Sequence, residues 1–276
     1  MPMILRCGSY HLSLERPLIM GVVNVTPDSF SDGGHFLRHE AAVAHARRLI
    51  DEGADLLDIG GESTRPGAPP VSLDEERRRV LPVLEALTGL GVPLSVDTQK
   101  PELMREAAAA GAAMVNDVNG FEAPGAFATV ADSACAICIM HKQGTPQTMQ
   151  QAPQYGDVVA EVAAYLRSRV EAAQAAGIAR ECIVVDPGFG FGKTLEHNLA
   201  LLRGLGRLAP GLPLLAGLSR KTMIGTLTGR AVGDRVSGSV AAALIAAQHG
   251  AAILRVHDVA ATRDALVVWQ AVREQD

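Results

Sequence analysis

Aromatic residues are scarce in this chain, at 4% with a single Trp, so any core has to be built from Ala, Val, Leu and Ile. No apolar run approaches the roughly 18 residues that a membrane-spanning helix needs. Arg6, Gly8 and Ser9 come too early for the apolar stretch of a secretory leader, and together these absences predict a cytoplasmic protein with no membrane partner. Positive charge is also in deficit: 25 Lys and Arg against 30 Asp and Glu leave a net charge of −5, which argues against a nucleic-acid partner. An anionic substrate has to be held by local basic residues against that field. There are only 4 cysteines. Cys135 and Cys138 form a C-x-x-C, but within an apolar run. A strand at that spacing turns the two thiols to opposite faces, which excludes a shared metal or disulfide and leaves core packing.

What the chain does have is core-forming material, with 48% hydrophobic and 20% charged residues over 276 positions, which excludes disorder. Short apolar runs at 18–23, 55–59, 93–96, 114–116, 136–140, 183–185, 212–216 and 252–256 alternate with longer helical patterns. Lacking polar alternation, the runs read as strands buried on both faces, the mark of a parallel sheet. Units of about 30 residues match one βαβ element, and eight of them predict a single-domain (β/α)8 barrel of the TIM type over residues 1–276. Residues 4–14, with Gly8-Ser9 at their centre, predict a β-hairpin ahead of the barrel. Ser72-Leu-Asp-Glu75 predicts a capped helix start, with Pro82 expected to kink or split that helix. Val158, Val162, Leu166 and Val170 form one helical stripe ending at Gly177, Thr194 is a candidate N-cap, and 236–248 is a further helix.

In such a barrel the chemistry sits at the C-terminal strand ends. The runs lead into Asn24, Asp58, Asp97, Asn116-Asp117, His141, Asp186, Ser219-Arg220-Lys221, and Arg255 with His257. Any one of these can be a helix cap or a hydrogen-bonded structural residue, and Asp58, Asp117 and His141 read that way as readily as any other. Lys221 is less easily set aside, because a helix start disfavours a cation unless something anionic or carbonyl-bearing faces it. Asp97, Asn116 and Asp186 offer acceptors and one amide donor to a flat guanidine-like edge, and Lys221 can donate to a ring carbonyl. Arg255, His257, Asn24 and Arg65 form a second cluster suited to a phosphate, while Ser219 is placed for a carboxylate. A heterocycle, a phosphate and a carboxylate acceptor together suggest group transfer. Two long polar connections, 24–34 and 60–67, read as lids, with surface variation as the alternative, and Arg65 is the only cation in either. Asp186-Pro-Gly-Phe-Gly-Phe-Gly-Lys193 lacks the spacing of a dinucleotide fingerprint or a P-loop.

Met20-Gly-Val-Val-Asn-Val-Thr-Pro-Asp-Ser-Phe-Ser-Asp-Gly-Gly34 and Gly53-Ala-Asp-Leu-Leu-Asp-Ile-Gly-Gly-Glu-Ser-Thr-Arg-Pro-Gly67 closely resemble the two signature segments of the dihydropteroate synthase family. The likeness continues in order through Ser95-Val-Asp-Thr98, Asn116-Asp-Val118, Met140-His141, Asp186 to Lys193, Gly217-Leu-Ser-Arg-Lys221 and Arg255-Val-His-Asp-Val259. Lys142 departs from the pattern, where an uncharged residue is expected. The resemblance implies a homodimeric (β/α)8 barrel that uses Mg²⁺ and two small-molecule substrates. It would join 6-hydroxymethyl-7,8-dihydropterin diphosphate to p-aminobenzoate in folate synthesis, releasing diphosphate. By position, Asp97, Asn116, Asp186 and Lys221 would bind the pterin, with Met140 and Phe189 lining its slot and Gly217 among the substrate contacts. Asn24 would coordinate Mg²⁺, Thr64, Arg255 and His257 would hold the diphosphate, and Ser219 the aminobenzoate carboxylate. Arg65, Lys221, Arg255 and His257 would be the catalytic group. A pterin-dependent methyltransferase would share Asp97, Asn116 and Asp186 without needing the diphosphate cluster. A non-catalytic pterin-binding paralogue would be expected to lose loop residues, and a Schiff-base aldolase would need its Lys at a strand end.

Overall fold

The computed structural model describes residues 3–26, 35–65, 67–145, 148–149 and 152–273. Two short strands, β1 (Ile4–Cys7) and β2 (Tyr10–Ser13), pair antiparallel with Cys7 opposite Tyr10, as the Gly8-Ser9 turn signal predicts. Eight parallel strands follow: β3 (Leu18–Asn24), β4 (Leu56–Gly60), β5 (Leu94–Asp97), β6 (Met114–Asp117), β7 (Ala136–Met140), β8 (Ile183–Asp186), β9 (Leu214–Ala216) and β10 (Ala251–Val256). They close in chain order, β10 pairing with both β3 and β9. Strand β9 begins at Leu214 rather than 212 because Pro213 has no N–H to give the ladder, although its carbonyl still accepts from Val185 N at 3.0 Å.

The helices α1 (His35–Asp51), α2 (Leu73–Leu87), α3 (Pro101–Ala109), α4 (Ala126–Ala131), α5 (Val158–Ala175), α6 (Leu195–Arg203), α7 (Thr222–Thr228), α8 (Val236–Gln248) and α9 (Val259–Arg273) surround the barrel. Ser72 caps α2 by accepting from Glu75 N, but the reciprocal half of the box is replaced, because the Glu75 carboxylate binds Arg78 and Arg79 instead. Pro82 does not split α2. It lies on the exposed face, where the carbonyl that it leaves unbonded can turn to water. Thr194 caps α6 in a full box with His197, and the stripe Val158, Val162, Leu166 and Val170 is buried along α5.

Two apolar layers result. Leu18, Met20, Leu56, Met114, Cys138, Val184, Leu215 and Ile253 fill the barrel, and Leu5 and Cys7 of the hairpin close its N-terminal end. Ile19, Val23, Leu57, Val96, Val115, Ile139 and Val185, on the opposite strand faces, meet the helices. All four cysteines are free and buried, in keeping with core packing. With its floor plugged by side chains, the barrel is open to ligands only at its C-terminal rim.

Candidate active site

Strand alternation decides which side chains reach that rim. Counting in twos from the interior residues Leu18, Leu56, Met114, Cys138, Val184, Leu215 and Ile253 leads to Asn24, Asp58, Asn116, Met140, Asp186, Gly217, and Arg255 with His257. Ser95, the register partner of both Asp58 and Met114, leads likewise to Asp97. Asp117 has the opposite parity. Its carboxylate caps the following turn through Asn119 N and Phe121 N, both at 2.7 Å, and it serves structure.

At the centre lies a buried ionic knot. Asp58 Oδ2 accepts from Arg255 Nε at 2.6 Å and from Asn116 Nδ2 at 3.0 Å, while Arg255 Nη2 donates to Asp97 Oδ2 at 3.0 Å. Burial works against the Arg255 guanidinium, but Asp58 and Asp97 more than offset it and hold its pKa above the ordinary value. Burial, together with the Asp58 charge, pushes Asp97 well above the usual carboxylate range, against the pull of Arg255. The contact with an always-charged guanidinium, and any N–H donor brought to it, favour the Asp97 carboxylate. Asp58 Oδ1, Ser95 Oγ and Asn116 Oδ1 are buried without a hydrogen-bond partner among the described residues. Acceptors held in this way inside a barrel are suited to a ring that presents N–H groups.

Across from the knot, Lys221 Nζ donates to the Phe189 carbonyl at 2.5 Å and lies 4.8 Å from the centroid of the Phe191 ring. Burial lowers its pKa to about 8, with Asp186 opposing the shift. The Gly-rich segment that carries these phenylalanines is packed backbone to backbone on the segment after β7. A Cβ at Gly188 would strike the His141 carbonyl, and one at Gly192 would strike that of Gln143. Lys193 stitches the two segments together, bonding His141 Nδ1 at 3.0 Å and donating to Phe191 O at 2.9 Å. His141 therefore faces Lys193 and the Tyr165 ring rather than the pocket, and burial drops its pKa to about 3. Phe189 departs from expectation. Its ring is fully buried in the outer apolar layer, so it is the carbonyl of Phe189 and the ring of Phe191 that meet Lys221.

On the remaining side, Ser219 accepts from His257 N at 3.2 Å and lies 3.0 Å from His257 Nδ1. Ser219 Oγ thus holds the imidazole through Nδ1, and Nε2 is the ring nitrogen left to face a ligand. Burial first, then the Arg255 and Arg220 charges, lower the His257 pKa to about 4. His257 therefore sits at the rim as a neutral imidazole, and the Ser219 hydroxyl is bonded to it. Arg220, at φ +57, is held in its left-handed turn by Asp258 and by Ser239 Oγ, which sets both neighbours, Ser219 and Lys221. Arg65 is exposed, yet its charge reaches His257 and contributes to the lowered pKa.

Gly60 and Gly217 leave space where side chains would intrude. A Cβ at Gly60 would sit 3.8 Å from Asp97 Oδ2 and 3.9 Å from Asn24 Oδ1, and one at Gly217 3.8 Å from Lys221 Nζ. A rim pocket next to Asp97 is lined by Glu62, Thr64, Lys142 and Phe191, so the unexpected Lys142 faces the site. Residues 27–34 of the first expected lid, and Pro66 of the second, lie outside the described residues. Reasoning from single strand ends undervalued Asp58 and missed Phe191 and the cluster of Glu62, Glu76 and Lys100. Phe191 was signalled only by its place two residues before Lys193.

The sequence model of the family described as pterin binding enzyme matches residues 20–257. The chain is 53% identical over 275 residues to a dihydropteroate synthase of Neisseria meningitidis serogroup B, covering 97% of this chain and 96% of that one. Its fold is similar to that of a Xanthomonas albilineans dihydropteroate synthase solved with 4-aminobenzoic acid, with TM-score 0.94, 58% identity and 99% of each chain covered. It is similar also to the Burkholderia cenocepacia dihydropteroate synthase complexed with 7,8-dihydropteroate, with TM-score 0.91, 53% identity and 99% and 98% of the two chains covered. With its acceptor-lined barrel, rim Lys and buried Arg matched over nearly its whole length, this chain belongs to the pterin-binding enzyme family, among the dihydropteroate synthases.

Proposed function

We infer that this chain condenses 6-hydroxymethyl-7,8-dihydropterin diphosphate with p-aminobenzoate, releasing diphosphate and forming 7,8-dihydropteroate. The observation that carries the reading is the division of one rim into two chemistries. Asp97, Asn116, Asp186 and Lys221 suit a flat N–H-rich ring bearing a carbonyl, while the His257 imidazole, Thr64 and Arg65 are the groups we assign to the leaving anion. The presence of that second cluster favours this reaction over methyl transfer between a pterin and another carrier.

The amine of p-aminobenzoate already carries a free lone pair, so no protein nucleophile is required. The C–O bond from the pterin methylene to diphosphate breaks, the amine nitrogen bonds to the methylene, and the amine proton is lost to solvent or to the departing diphosphate. Asp97 and Asp186 favour positive charge spreading from the methylene into the ring. Arg65 and His257 stabilise charge growing on the leaving oxygen, a contribution often worth several kcal/mol. We place the aminobenzoate ring against Phe191 beside Lys221, in a displacement of dissociative, SN1-like character. Lids of the kind expected at 24–34 and 60–67 would serve to keep out water that could capture the methylene cation.

We assign Mg²⁺ to Asn24, which offers a neutral oxygen next to the open face of Gly60. A hard cation here would take its other ligands from water and from the diphosphate, whose leaving charge it would offset. A homodimer is supported by exposed Leu227, Ile245, Val268 and Val272 on α7, α8 and α9. No helix among the described residues is long and apolar enough to cross a membrane.

A coupled assay of diphosphate release tests the function. Release that depends on both p-aminobenzoate and Mg²⁺, and stops with a chelator, is expected. Release indifferent to p-aminobenzoate would point to a different acceptor.

A further inference from the structure

We propose that Lys100 is a positioning residue for this reaction, gripping Glu62 so that the loop bearing Thr64 and Arg65 is set toward the leaving diphosphate. The inference rests on the functional reading above. Lys100 immediately precedes α3, and its Nζ donates to Glu62 Oε2 at 2.5 Å and to Glu76 Oε2. Glu76 lies in the first turn of α2 and is fully buried, and its second oxygen has no hydrogen-bond partner among the described residues. A buried carboxylate needs a counter-charge, so Glu76 fixes where the Lys100 ammonium sits. Glu62 is the partner that couples this fixed charge to the loop.

The rest of the loop base is held just as firmly. Glu62 Oε1 accepts from Val71 N at 3.2 Å, closing the loop on itself, and Arg79 Nη1 donates to the Gly61 carbonyl at 2.8 Å. Gly61 is pressed on α2 so closely that a Cβ would sit 2.7 Å from Val80 Cγ2. Ser63, Thr64 and Arg65 therefore project from a clamped base, and the pocket lined by Glu62 and Glu76 is the same one lined by Thr64 and Asp97. Among the described residues, the polar bonds of Lys100 and Glu62 reach neither the ring-binding acceptors nor Arg255, so their effect has to pass through the loop.

The decisive variant is Glu62→Gln, which leaves the Lys100–Glu76 pair intact and cuts only the charged link to the loop. In the full chain it should lower kcat about tenfold or more, as expected for a misplaced transition-state contact, with binding of 7,8-dihydropterin lacking the diphosphate unchanged. Combined with Arg65→Ala, it should add little beyond Arg65→Ala alone, because both changes disable one loop. Lys100→Met should show the same coupling, and Lys100→Arg should recover part of the rate. Amide exchange across residues 61–71 should speed up in Glu62→Gln. Turnover of Glu62→Gln within about threefold of the parent, full multiplication with Arg65→Ala, or a parallel loss of dihydropterin affinity would each overturn the proposal. If the parent itself failed to couple diphosphate release to p-aminobenzoate, the functional reading would fall instead. The clamp would then stand or fall on the amide exchange.

Discussion

Arg255 Nε donates to Asp58 Oδ2 at 2.6 Å across 197 residues of sequence, and the same oxygen accepts from Asn116. One fully buried carboxylate thus sets both the guanidinium that borders Asp97 and the amide whose free oxygen faces the barrel interior. Asp58→Asn should leave the buried Arg255 with half its charge compensation, costing about 3–5 kcal/mol as broken buried pairs do. Thermal unfolding and pterin calorimetry on the same preparation should both register the loss. A variant that kept its melting temperature and its pterin affinity would show Asp58 to be a bystander.

Lys221→Ala should abolish most pterin affinity while leaving the fold intact, because among the described residues its ammonium bonds the Phe189 carbonyl and lies over the Phe191 ring at the rim rather than holding core elements together. The lowered pKa adds a pH signature. A group that must donate as an ammonium loses its proton as pH rises through about 8, so pterin affinity of the parent should weaken above that value. Calorimetry from pH 7 to 9.5 checks both points. Affinity that stayed flat across that range would remove Lys221 from ring recognition.

Arg65→Ala should lower kcat by ~10²-fold, the scale of one lost electrostatic stabiliser, with melting temperature and ring affinity barely changed. Its exposure explains the expected lack of a stability cost, and the reach of its charge to His257 explains the expected rate effect. Arg65→Lys should rescue only in part, because an ammonium offers no bidentate fork to phosphate oxygens. Steady-state kinetics of the two variants decide the matter, and turnover of Arg65→Ala within threefold of the parent would count against a loop role.

His141 links stability to acid. Its pKa in the fold is about 3, below the ordinary 6.5, because of burial first and the Lys193 charge second. Between those values the unfolded chain binds the extra proton, so the contribution of His141 is complete above 6.5 and is lost as pH falls toward 3. The slope is up to about 1.4 kcal/mol per pH unit. Asp97, Asp117 and Asp186 titrate in the opposite sense, since burial raises their pKa values, so only a difference measurement isolates the imidazole. The stability gap between the parent and His141→Asn, measured by urea unfolding, should shrink from pH 6.5 to 4.5. A constant gap would show that His141 titrates normally.

Much of this protein was legible in the order of its residues. Barrel strands are hydrophobic on both faces, and a run such as Ile183–Asp186 declares itself without context, as does the polar residue that ends it. The two-residue period then places Asn24, Asp97, Asn116, Met140, Asp186 and Arg255 inside the barrel before any contact is known. Helix starts at Ser72 and Thr194 were equally local, because a cap is satisfied within three residues.

What the tertiary structure decided involves residues that meet only on closure or where the period breaks. Asp58 reads as a cap until β10 brings Arg255 over it. The charge of His257 is set only by burial and by the Arg255 and Arg220 charges, which lower its pKa to about 4. Which phenylalanine faces Lys221 could not be counted, because Gly188, Gly190 and Gly192 take φ of +67, +81 and +65 and reset the chain direction at every second step. Lys100 carries no signal in the order of residues. Only the packing of α2 against the barrel buries Glu76, and a buried carboxylate then fixes where that ammonium has to be.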